Sequence, residues 1–208
     1  MAARRPSQEK QQKPADVALV LIDVINALDF PGSAGLVRAA GRAARKIEGL
    51  TARARAADLP VIYVNDNFGQ WRSDFKSTVA ACTAPDKPGS AVSGRLKPES
   101  GDYFVLKPQH SGFYSTTLEL LLNELGVHTL ILVGFATNLC VQFTANDAHM
   151  RGYRLVVPAD CTASNTPQLT RASLAQIRTA LSADVRRSAS IDFAKLRQNA
   201  KKLTGKAF

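Results

Sequence analysis

The chain lacks any apolar segment that approaches the roughly 18 residues needed to span a membrane. Its most apolar run, VALVLIDVI from Val17 to Ile25, is short and is interrupted by Asp23. The first residues, MAARRPSQEKQQKPAD, also lack the apolar stretch of a secretory signal. We therefore expect a soluble, globular protein with no membrane partner and with a flexible basic N-terminal tail over residues 1–16.

Cysteine is scarce as well. The three cysteines, Cys82, Cys140 and Cys161, are an odd number and follow no disulfide spacing. A disulfide scaffold is therefore excluded as an architecture. Free thiols in a reducing compartment are expected instead, which predicts a cytoplasmic protein.

Acidic residues are outnumbered, because 17 Asp and Glu stand against 27 Lys and Arg, for a formal net charge of +10. A basic surface can attract nucleic acids, membranes or anionic substrates. Here the excess is spread over the N-terminal tail, one helical segment and residues 190–208, and no aromatic residues alternate with it as a single-strand-binding face requires. We interpret it as solvated surface and expect no nucleic-acid partner.

Apolar runs and helical patterns alternate along residues 17–189, which predicts one α/β domain followed by a basic C-terminal extension over residues 190–208. Nearly continuous apolar runs are typical of strands buried on both faces of a parallel sheet. The predicted strands are 17–23, 60–66, 102–107, 128–134, 153–160 and, at an edge, 184–190, and the predicted helices are 34–57, 115–126, 137–152 and 166–183. A long excursion, residues 67–101, is rich in Gly, Pro and Ser and shows little periodicity.

Three reactive side chains fall at the carboxyl ends of predicted strands. Asp23 ends the first strand, Lys107 ends the third, and Cys140 follows the fourth. Each has an ordinary structural explanation, as a helix cap, a solvated lysine and a small apolar core residue respectively. Because the carboxyl ends of parallel strands share one edge of the sheet, the three meet where such sheets bind ligands. Their combination favours a catalytic site.

Nucleophilic acyl transfer is the chemistry that fits these side chains. A thiol is mostly protonated near pH 7 and needs activation. Lys107 supplies positive charge, the first turn of the following helix supplies free N–H groups, and Asp23 can take the thiol proton and return it to a leaving amine. Backbone N–H groups near Ala136 and Cys140 lie where an oxyanion would develop.

Three separated segments resemble the cysteine hydrolases of the isochorismatase-like superfamily, which include nicotinamidases, N-carbamoylsarcosine amidohydrolase, and ureidoacrylate and biuret hydrolases. They are VLID ending at Asp23, LKPQHSGFYSTTLELLL around Lys107, and LILVGFATNLCVQFTANDAHMRGYRLVVPAD around Cys140. The resemblance implies a three-layer α/β/α fold with a six-stranded parallel sheet of order 3-2-1-4-5-6. It implies an Asp23–Lys107–Cys140 triad, and a homodimer or homotetramer. It also implies a cis peptide between Phe135 and Ala136, which turns the Ala136 N–H toward the oxyanion hole.

The expected function is that of a metal-independent cysteine hydrolase, which cleaves a C–N bond of a small amide, ureide or carbamoyl compound through a thioester and uses no cofactor. Nicotinamidases carry Asp-x-His and a second His after the second strand, whereas the corresponding NDNFGQWRSDF has Asp66 and no histidine. We therefore expect no metal. Two alternatives stay open. One is a vinyl-ether hydrolase of the isochorismatase type, with Asp23 as acid and Cys140 a bystander, and the other is a non-catalytic binding protein on the same fold.

The excursion that contains NDNFGQWRSDF is the expected wall of the substrate pocket. The candidates for lining it are Phe30, Asn65, Asn67, Phe68, Trp71 and Phe113. For Phe68 and Trp71 the alternative is that they only fold the loop onto the body of the domain. Thr144 and Asp147 lie one turn apart on the helix after Cys140, where they support either the site or the local packing.

Overall fold

The computed structural model describes residues 15–204, with side chains as far as residue 200. Its strands are β1 (Asp16–Ile22), β2 (Val61–Asp66), β3 (Tyr103–Lys107), β4 (Val127–Phe135), β5 (Arg154–Val156) and β6 (Thr162–Ala163). They form one parallel sheet in the order β3-β2-β1-β4-β5, and β6 pairs with β4 beyond the end of β5. The predicted parallel α/β sheet is confirmed. Most of the N-terminal tail predicted over residues 1–16 lies outside the described residues.

The sixth strand differs in position from the one predicted at residues 184–190. That segment does run beside β5 at the sheet edge, but it contributes a single bridge between Asp184 and Val156 and then a 3₁₀ turn. The sixth strand is β6, which pairs with Gly134 and Phe135 at the end of β4. The reason is the difference in strand length, because β4 has nine residues and β5 only three. The C-terminal part of β4 therefore extends beyond β5 and pairs with the chain that follows β5.

Seven α-helices cover the sheet within residues 15–204. They are α1 (Ala34–Ala56), α2 (Phe75–Cys82), α3 (Ser90–Arg95), α4 (Leu118–Glu124), α5 (Gln142–Met150), α6 (Pro167–Ala180) and α7 (Phe193–Thr204). Two of them, α2 and α3, lie in the excursion where the sequence predicted no regular structure. None of these helices combines the length and the apolar character that crossing a bilayer requires.

The C-terminal extension, predicted from residue 190 onward, is anchored to the domain as far as its side chains are described. Ile191, Phe193 and Ala200 are buried, and the guanidinium of Arg197 donates to the carbonyl oxygen of Ala57 at 2.8 Å. Lys195 and Arg197 therefore stand on a helix whose apolar face contributes to the core.

The sheet separates two apolar cores, as the alternation along β1 shows. Val17, Leu19 and Leu21 point into the core that α1 and α7 cover, whereas Val20 and Ile22 point into the core beneath α4, α5 and α6. Successive side chains of a strand lie on opposite faces, so a strand that is buried throughout needs helices on both sides. The predicted three-layer α/β/α arrangement is confirmed.

Gly134 fixes the distance between the ends of the two central strands. It has a φ of +120°, and a Cβ atom at this position would collide with the carbonyl oxygen of Ile22. Only glycine tolerates both the backbone conformation and the close approach. The loop that follows β4 is thereby brought beside the residue that follows β1.

Candidate active site

The three predicted reactive residues lie together at the carboxyl edge of the sheet. Asp23 follows β1, Lys107 is the last residue of β3, and Cys140 lies in the turn after β4. The Lys107 Nζ atom is 2.8 Å from Asp23 Oδ2 and 3.6 Å from Cys140 Sγ. The ammonium group therefore contacts both the carboxylate and the thiol.

Asp23 is held in an uncommon backbone conformation. Its φ is +50°, in the left-handed region that residues other than glycine rarely occupy. Its N–H donates to the carbonyl oxygen of Val64 at 3.0 Å, and its Oδ1 accepts the N–H of Asp66 at 2.7 Å. Strained backbone of this kind persists where surrounding contacts enforce it, and it concentrates at functional sites.

Lys107 is completely buried, and its ammonium has oxygen partners on three sides. Besides Asp23, these are Asp66 Oδ2 at 3.3 Å and the carbonyl oxygen of Gln109 at 3.1 Å. Burial by itself lowers the pKa of Lys107, but the negative charge of Asp23, with smaller contributions from Cys140 and Asp66, outweighs it and the pKa is raised. Lys107 is therefore a fixed positive charge in the centre of the site.

Burial dominates the acid–base behaviour of the other two residues. It raises the pKa of the Asp23 carboxyl, against the opposing influence of Lys107. It raises the pKa of the Cys140 thiol to about 12, with the negative charge of Asp23 adding to the shift and Lys107 opposing it. The positive charge that the sequence predicted is present, but its lowering of the thiol pKa is outweighed by burial and by Asp23. Activation must instead come from proton transfer to a neighbouring base.

The turn that carries Cys140 is a π-helical turn, Thr137–Val141, rather than the first turn of a regular α-helix. It follows a cis peptide between Phe135 and Ala136. The hydroxyl of Thr137 lies 2.9 Å from that of Thr162 in β6, and the Thr162 hydroxyl donates to the Gly134 carbonyl oxygen at 2.8 Å. β6 thus fastens the cysteine turn to the end of β4. π-helical turns occur frequently at functional sites.

A family model described as the isochorismatase domain matches residues 17–190. The chain belongs to the isochorismatase family. The relatives of this chain include enzymes named as amidohydrolases. This chain is a hydrolase of the same family.

Alignments with related sequences cover most of the chain. The uncharacterized isochorismatase family protein YaaI of Bacillus subtilis is 38% identical over 171 residues, which are 82% of this chain and 93% of that protein. The ureidoacrylate amidohydrolase RutB of Methylobacterium radiotolerans is 35% identical over 192 residues, 80% of this chain and 74% of its own length.

Solved structures agree with the fold. The N-carbamoylsarcosine amidase of Thermoplasma acidophilum superposes with a TM-score of 0.66 and 29% identity, covering 85% of this chain and 99% of that one. The nicotinamidase of Staphylococcus aureus, with a TM-score of 0.60 and 21% identity, covers 83% of this chain and 99% of its own and supports the fold alone.

Thr144 and Asp147 join the cysteine turn to the loop that follows Lys107. The Thr144 hydroxyl donates to the carbonyl oxygen of Cys140 at 2.7 Å and accepts the N–H of Gly112 at 2.9 Å. The carboxylate of Asp147 accepts the hydroxyl of Ser111. Both residues therefore position the walls of this isochorismatase-family site through backbone and hydroxyl contacts.

Sequence reasoning missed His110, which contacts the thiol from the solvent side. Its Nδ1 atom lies 3.8 Å from Cys140 Sγ, and its ring packs against Phe143 with the ring centroids 5.5 Å apart. His110 follows Lys107 by three residues, so extending the search for reactive side chains past each strand end would have found it.

The predicted pocket residues divide into two groups. Asn65 is fully buried, and its amide binds both backbone groups of Ile25, with Asn65 Oδ1 accepting the N–H at 3.2 Å and Nδ2 donating to the carbonyl oxygen at 2.9 Å. Phe113 is buried beside Tyr153 and under the guanidinium of Arg151. These two side chains hold the structure around the site instead of presenting a free surface.

The remaining pocket candidates are accessible. The rings of Phe30, Phe68 and Trp71 are exposed, Trp71 to 78%. The amide oxygen of Asn67 accepts the N–H of Gly69 at 2.9 Å, which shapes the turn that carries Phe68. The structure therefore leaves the aromatic side chains of this turn available to a ligand.

Asp66, which the resemblance to nicotinamidases sets against the aspartate of their Asp-x-His motif, is engaged by the protein itself. Its carboxylate accepts the N–H of Phe68 at 2.6 Å and contacts the ammonium of Lys107. Among the side chains described up to residue 200, no cluster of three or more His, Cys, Asp or Glu residues is arranged to hold a metal ion.

Proposed function

We propose that this isochorismatase-family hydrolase is a cysteine hydrolase that cleaves a C–N bond of a small amide, ureide or carbamoyl compound through a thioester. The observation that carries the proposal is the contact of one buried ammonium, Lys107, with both the Asp23 carboxylate and the Cys140 thiol. The names of two relatives, ureidoacrylate amidohydrolase and N-carbamoylsarcosine amidase, support the class of bond.

In the proposed first half-reaction, Asp23 accepts the thiol proton as the Cys140 sulfur attacks the carbonyl carbon. A C–S bond forms, and the electron pair of the carbonyl moves to its oxygen. The backbone N–H groups of Ala136 and Cys140 are the proposed donors to this oxyanion. When the oxyanion collapses, the C–N bond breaks and Asp23 returns the proton to the leaving nitrogen.

Lys107 has two roles in this proposal. It keeps the Asp23 carboxylate oriented toward the thiol, and its positive charge stabilises the thiolate character that develops on Cys140 as the proton leaves. Both roles suit a buried site, because charge interactions are stronger where water is excluded. No other cation is needed for either role.

The proposal includes independence from metals. The side chain of Asp66 is already bound by Lys107 and by the N–H of Phe68, and residues 67–101 contain no histidine. We expect activity to survive prolonged dialysis against EDTA. Loss of activity that zinc or manganese restores would show that this part is wrong.

The test of the reaction class is a screen of small amides, ureides and carbamoyl compounds for ammonia release. We expect at least one to be hydrolysed by the wild type and not by Cys140→Ala. Cys82→Ala is the matched control, because it removes another free thiol, one that is buried at the end of α2. Equal activity of the Cys140 variant, or selective cleavage of a vinyl ether by it, would refute a cysteine mechanism.

We also propose a homodimer or homotetramer that works in the cytoplasm. Exposed apolar side chains, Leu139 in the π-helical turn and Phe143 and Met150 in α5, support self-association. Light scattering coupled to size-exclusion chromatography measures the mass directly, and a monomer at micromolar concentration would contradict the proposal.

A further inference from the structure

A buried segment without regular structure follows Asp23, the base of the proposed reaction. This segment, residues 24–28, is called the strap. The backbone φ is +50° at Asp23, just before the strap, and +51° at Leu28, its last residue. Both values lie in the left-handed region that residues other than glycine rarely adopt, and such conformations persist only where neighbouring contacts enforce them.

The first of these contacts comes from Asn65, near the end of β2. Its fully buried amide binds both backbone groups of Ile25, because Oδ1 accepts the N–H at 3.2 Å and Nδ2 donates to the carbonyl oxygen at 2.9 Å. The neighbours of Asn65 bind Asp23 itself. The carbonyl oxygen of Val64 accepts the Asp23 N–H at 3.0 Å, and the N–H of Asp66 donates to the Asp23 carboxylate at 2.7 Å. Three consecutive residues of β2 therefore hold the base and the start of the strap.

The second contact comes from Ser93 in α3, within the excursion between β2 and β3. Ser93 has no exposed surface. Its hydroxyl accepts the N–H of Asn26 at 3.0 Å and donates to the carbonyl oxygen of the same residue at 3.1 Å. The side chain of Asn26 accepts the N–H of Leu28 at 2.8 Å. One hydroxyl thus binds both backbone groups of a strap residue, as Asn65 does one residue earlier.

The N-terminal end of α3 also packs directly on the strap. The N–H of Gly89 donates to the carbonyl oxygen of Ala27 at 2.7 Å. A Cβ atom at position 89 would collide with the carbonyl oxygen of Asn26, so only glycine permits this approach. Ile25, Asn26 and Ala27 are therefore each bound by a residue that is distant in the sequence.

The conformation of Asp23 decides where its carboxylate lies. Asp23 Oδ2 is 2.8 Å from Lys107 Nζ, which is itself 3.6 Å from Cys140 Sγ. A strained residue relaxes by turning the peptide group on its free side, so it keeps its conformation only where the chain is fixed on both sides. Strand β1 fixes the chain before Asp23, and the strap contacts fix the chain after it.

We propose that Asn65 and Ser93 are positioning residues for the Asp23 base. By binding the strap, they keep its carboxylate beside Lys107 and Cys140. The inference rests on the proposed function, in which Asp23 accepts the thiol proton. Both side chains are fully buried and bind backbone groups, so they act on the reaction through Asp23. Misplacing a reacting group by about 1 Å costs on the order of 10²-fold in rate.

Stopped-flow hydrolysis of p-nitrophenyl acetate tests the inference, because a burst of p-nitrophenol accompanies formation of an acetyl thioester on Cys140. We expect Ser93→Ala and Asn65→Ala to slow the burst by about 10- to 100-fold, with little change in the substrate concentration that gives half the maximal rate. The acid limb of the burst rate should move to higher pH. The reason is that a displaced Asp23 loses the nearby charge of Lys107, which lowers the pKa of its carboxyl.

Tyr63→Phe is the matched control for Ser93→Ala. The buried Tyr63 hydroxyl donates to the carbonyl oxygen of Leu96 at 3.0 Å, at the opposite end of α3 from Gly89. Its removal takes one buried hydrogen bond from the same helix without touching the strap. The unfolding midpoint should fall in both variants, whereas the burst rate of Tyr63→Phe should stay at the wild-type value.

A double variant separates positioning of the base from general loosening of the site. In an Asp23→Asn background there is no base to position, so adding Ser93→Ala should slow the residual burst by less than about twofold. Equal slowing by Ser93→Ala in both backgrounds would overturn the inference. A wild-type burst rate in Ser93→Ala would overturn it too, and so would equal slowing by Tyr63→Phe.

Failure of the proposed function gives a different result. In that case Cys140→Ala would keep the burst, or Asp23→Asn would react at the wild-type rate. If Asn65→Ala does not fold, Ser93→Ala decides the question alone, because it removes a single oxygen atom.

Discussion

Replacing Lys107 with methionine removes the charge at the centre of the site while nearly preserving the side chain's volume. The Lys107 side chain has 0% of its surface exposed and that of Asp23 has 6%. The substitution deletes contacts of 2.8 Å to Asp23, 3.3 Å to Asp66 and 3.1 Å to the carbonyl oxygen of Gln109. It leaves a buried carboxylate without its counter-charge.

Breaking a buried ion pair by removing one partner costs about 3–5 kcal/mol of folding stability. Here the lower end of that range applies, since the Asp66 side chain is 28% exposed and keeps access to water, and Asp23 retains the N–H of Asp66. We therefore expect Lys107→Met to lose about 3 kcal/mol at pH 7 and to lose detectable hydrolysis. In Asp23→Asn/Lys107→Met both charges are gone, so most of the stability should return without activity.

The stability loss should depend on pH. Burial raises the pKa of Asp23 above its ordinary value of 3.8, so the folded protein holds this proton more tightly than the unfolded chain does. This tighter binding of the Asp23 proton stabilises the folded state to its full extent below pH 3.8. The stabilisation is lost as the pH rises through the pKa of Asp23 in the folded protein. Without Lys107 the folded pKa rises further. The difference between Lys107→Met and wild type should therefore shrink as the pH is lowered toward 3.8.

Urea unfolding, monitored by far-ultraviolet circular dichroism, measures these differences in stability. Tryptophan fluorescence is a poorer probe, because the single tryptophan, Trp71, is 78% exposed and reports little on the core. Lys87→Met is the matched control, because Lys87 pairs with Asp29 at the surface, and the unfolding midpoint should barely move. A loss below about 1 kcal/mol in Lys107→Met, or a double variant no more stable than the single one, would refute the account of a buried, mutually dependent pair.

Three further predictions test the scaffold and the base. Gly134→Ala should prevent stable folding because its Cβ would collide with Ile22. Gly41→Ala, at a helix position with free space around it, should instead stabilise the protein by about 1 kcal/mol, as measured by urea unfolding. Similar unfolding midpoints for the two variants would contradict this prediction. Asn65→Ala should cost about 1–3 kcal/mol by the same assay, since its buried amide pairs backbone groups at the strand ends, and a neutral effect would argue against that function. The acid limb of kcat/KM should report a pKa above 3.8, because Asp23 must be ionised to accept the thiol proton and burial raises its pKa; a limb at or below that value would contradict the raised pKa.

The sequence predicts the central strands well because their physical signature is local. A strand buried on both faces of a parallel sheet needs an almost unbroken apolar run, and β1, β2 and β4 each have one. The residues at the ends of these runs, Asp23 and Cys140 among them, are then brought together by topology alone. The strand β6 is only two residues long and has no periodicity to detect. It forms because β4 extends beyond the end of β5.

The finer features of the site depend on contacts between distant parts of the chain. Asn65 was a candidate for lining the substrate pocket, and its amide binds the backbone of Ile25, 40 residues away in sequence. His110 lies beside Cys140 only because the loop after Lys107 turns back over the ammonium. The pairing of Asn65 with Ile25 leaves no local pattern, so composition and spacing do not predict it, whereas the position of His110 three residues after Lys107 marks it as a candidate.

The most direct test of the central claim is the mass of the enzyme during turnover. An amide found in the ammonia-release screen is mixed with wild-type protein, quenched in acid within milliseconds and analysed by intact and peptide mass spectrometry. The account predicts an acyl adduct on the peptide that contains Cys140, formed as fast as ammonia is released and absent from Cys140→Ala. Turnover with no adduct on Cys140, or an adduct on another residue, would contradict it.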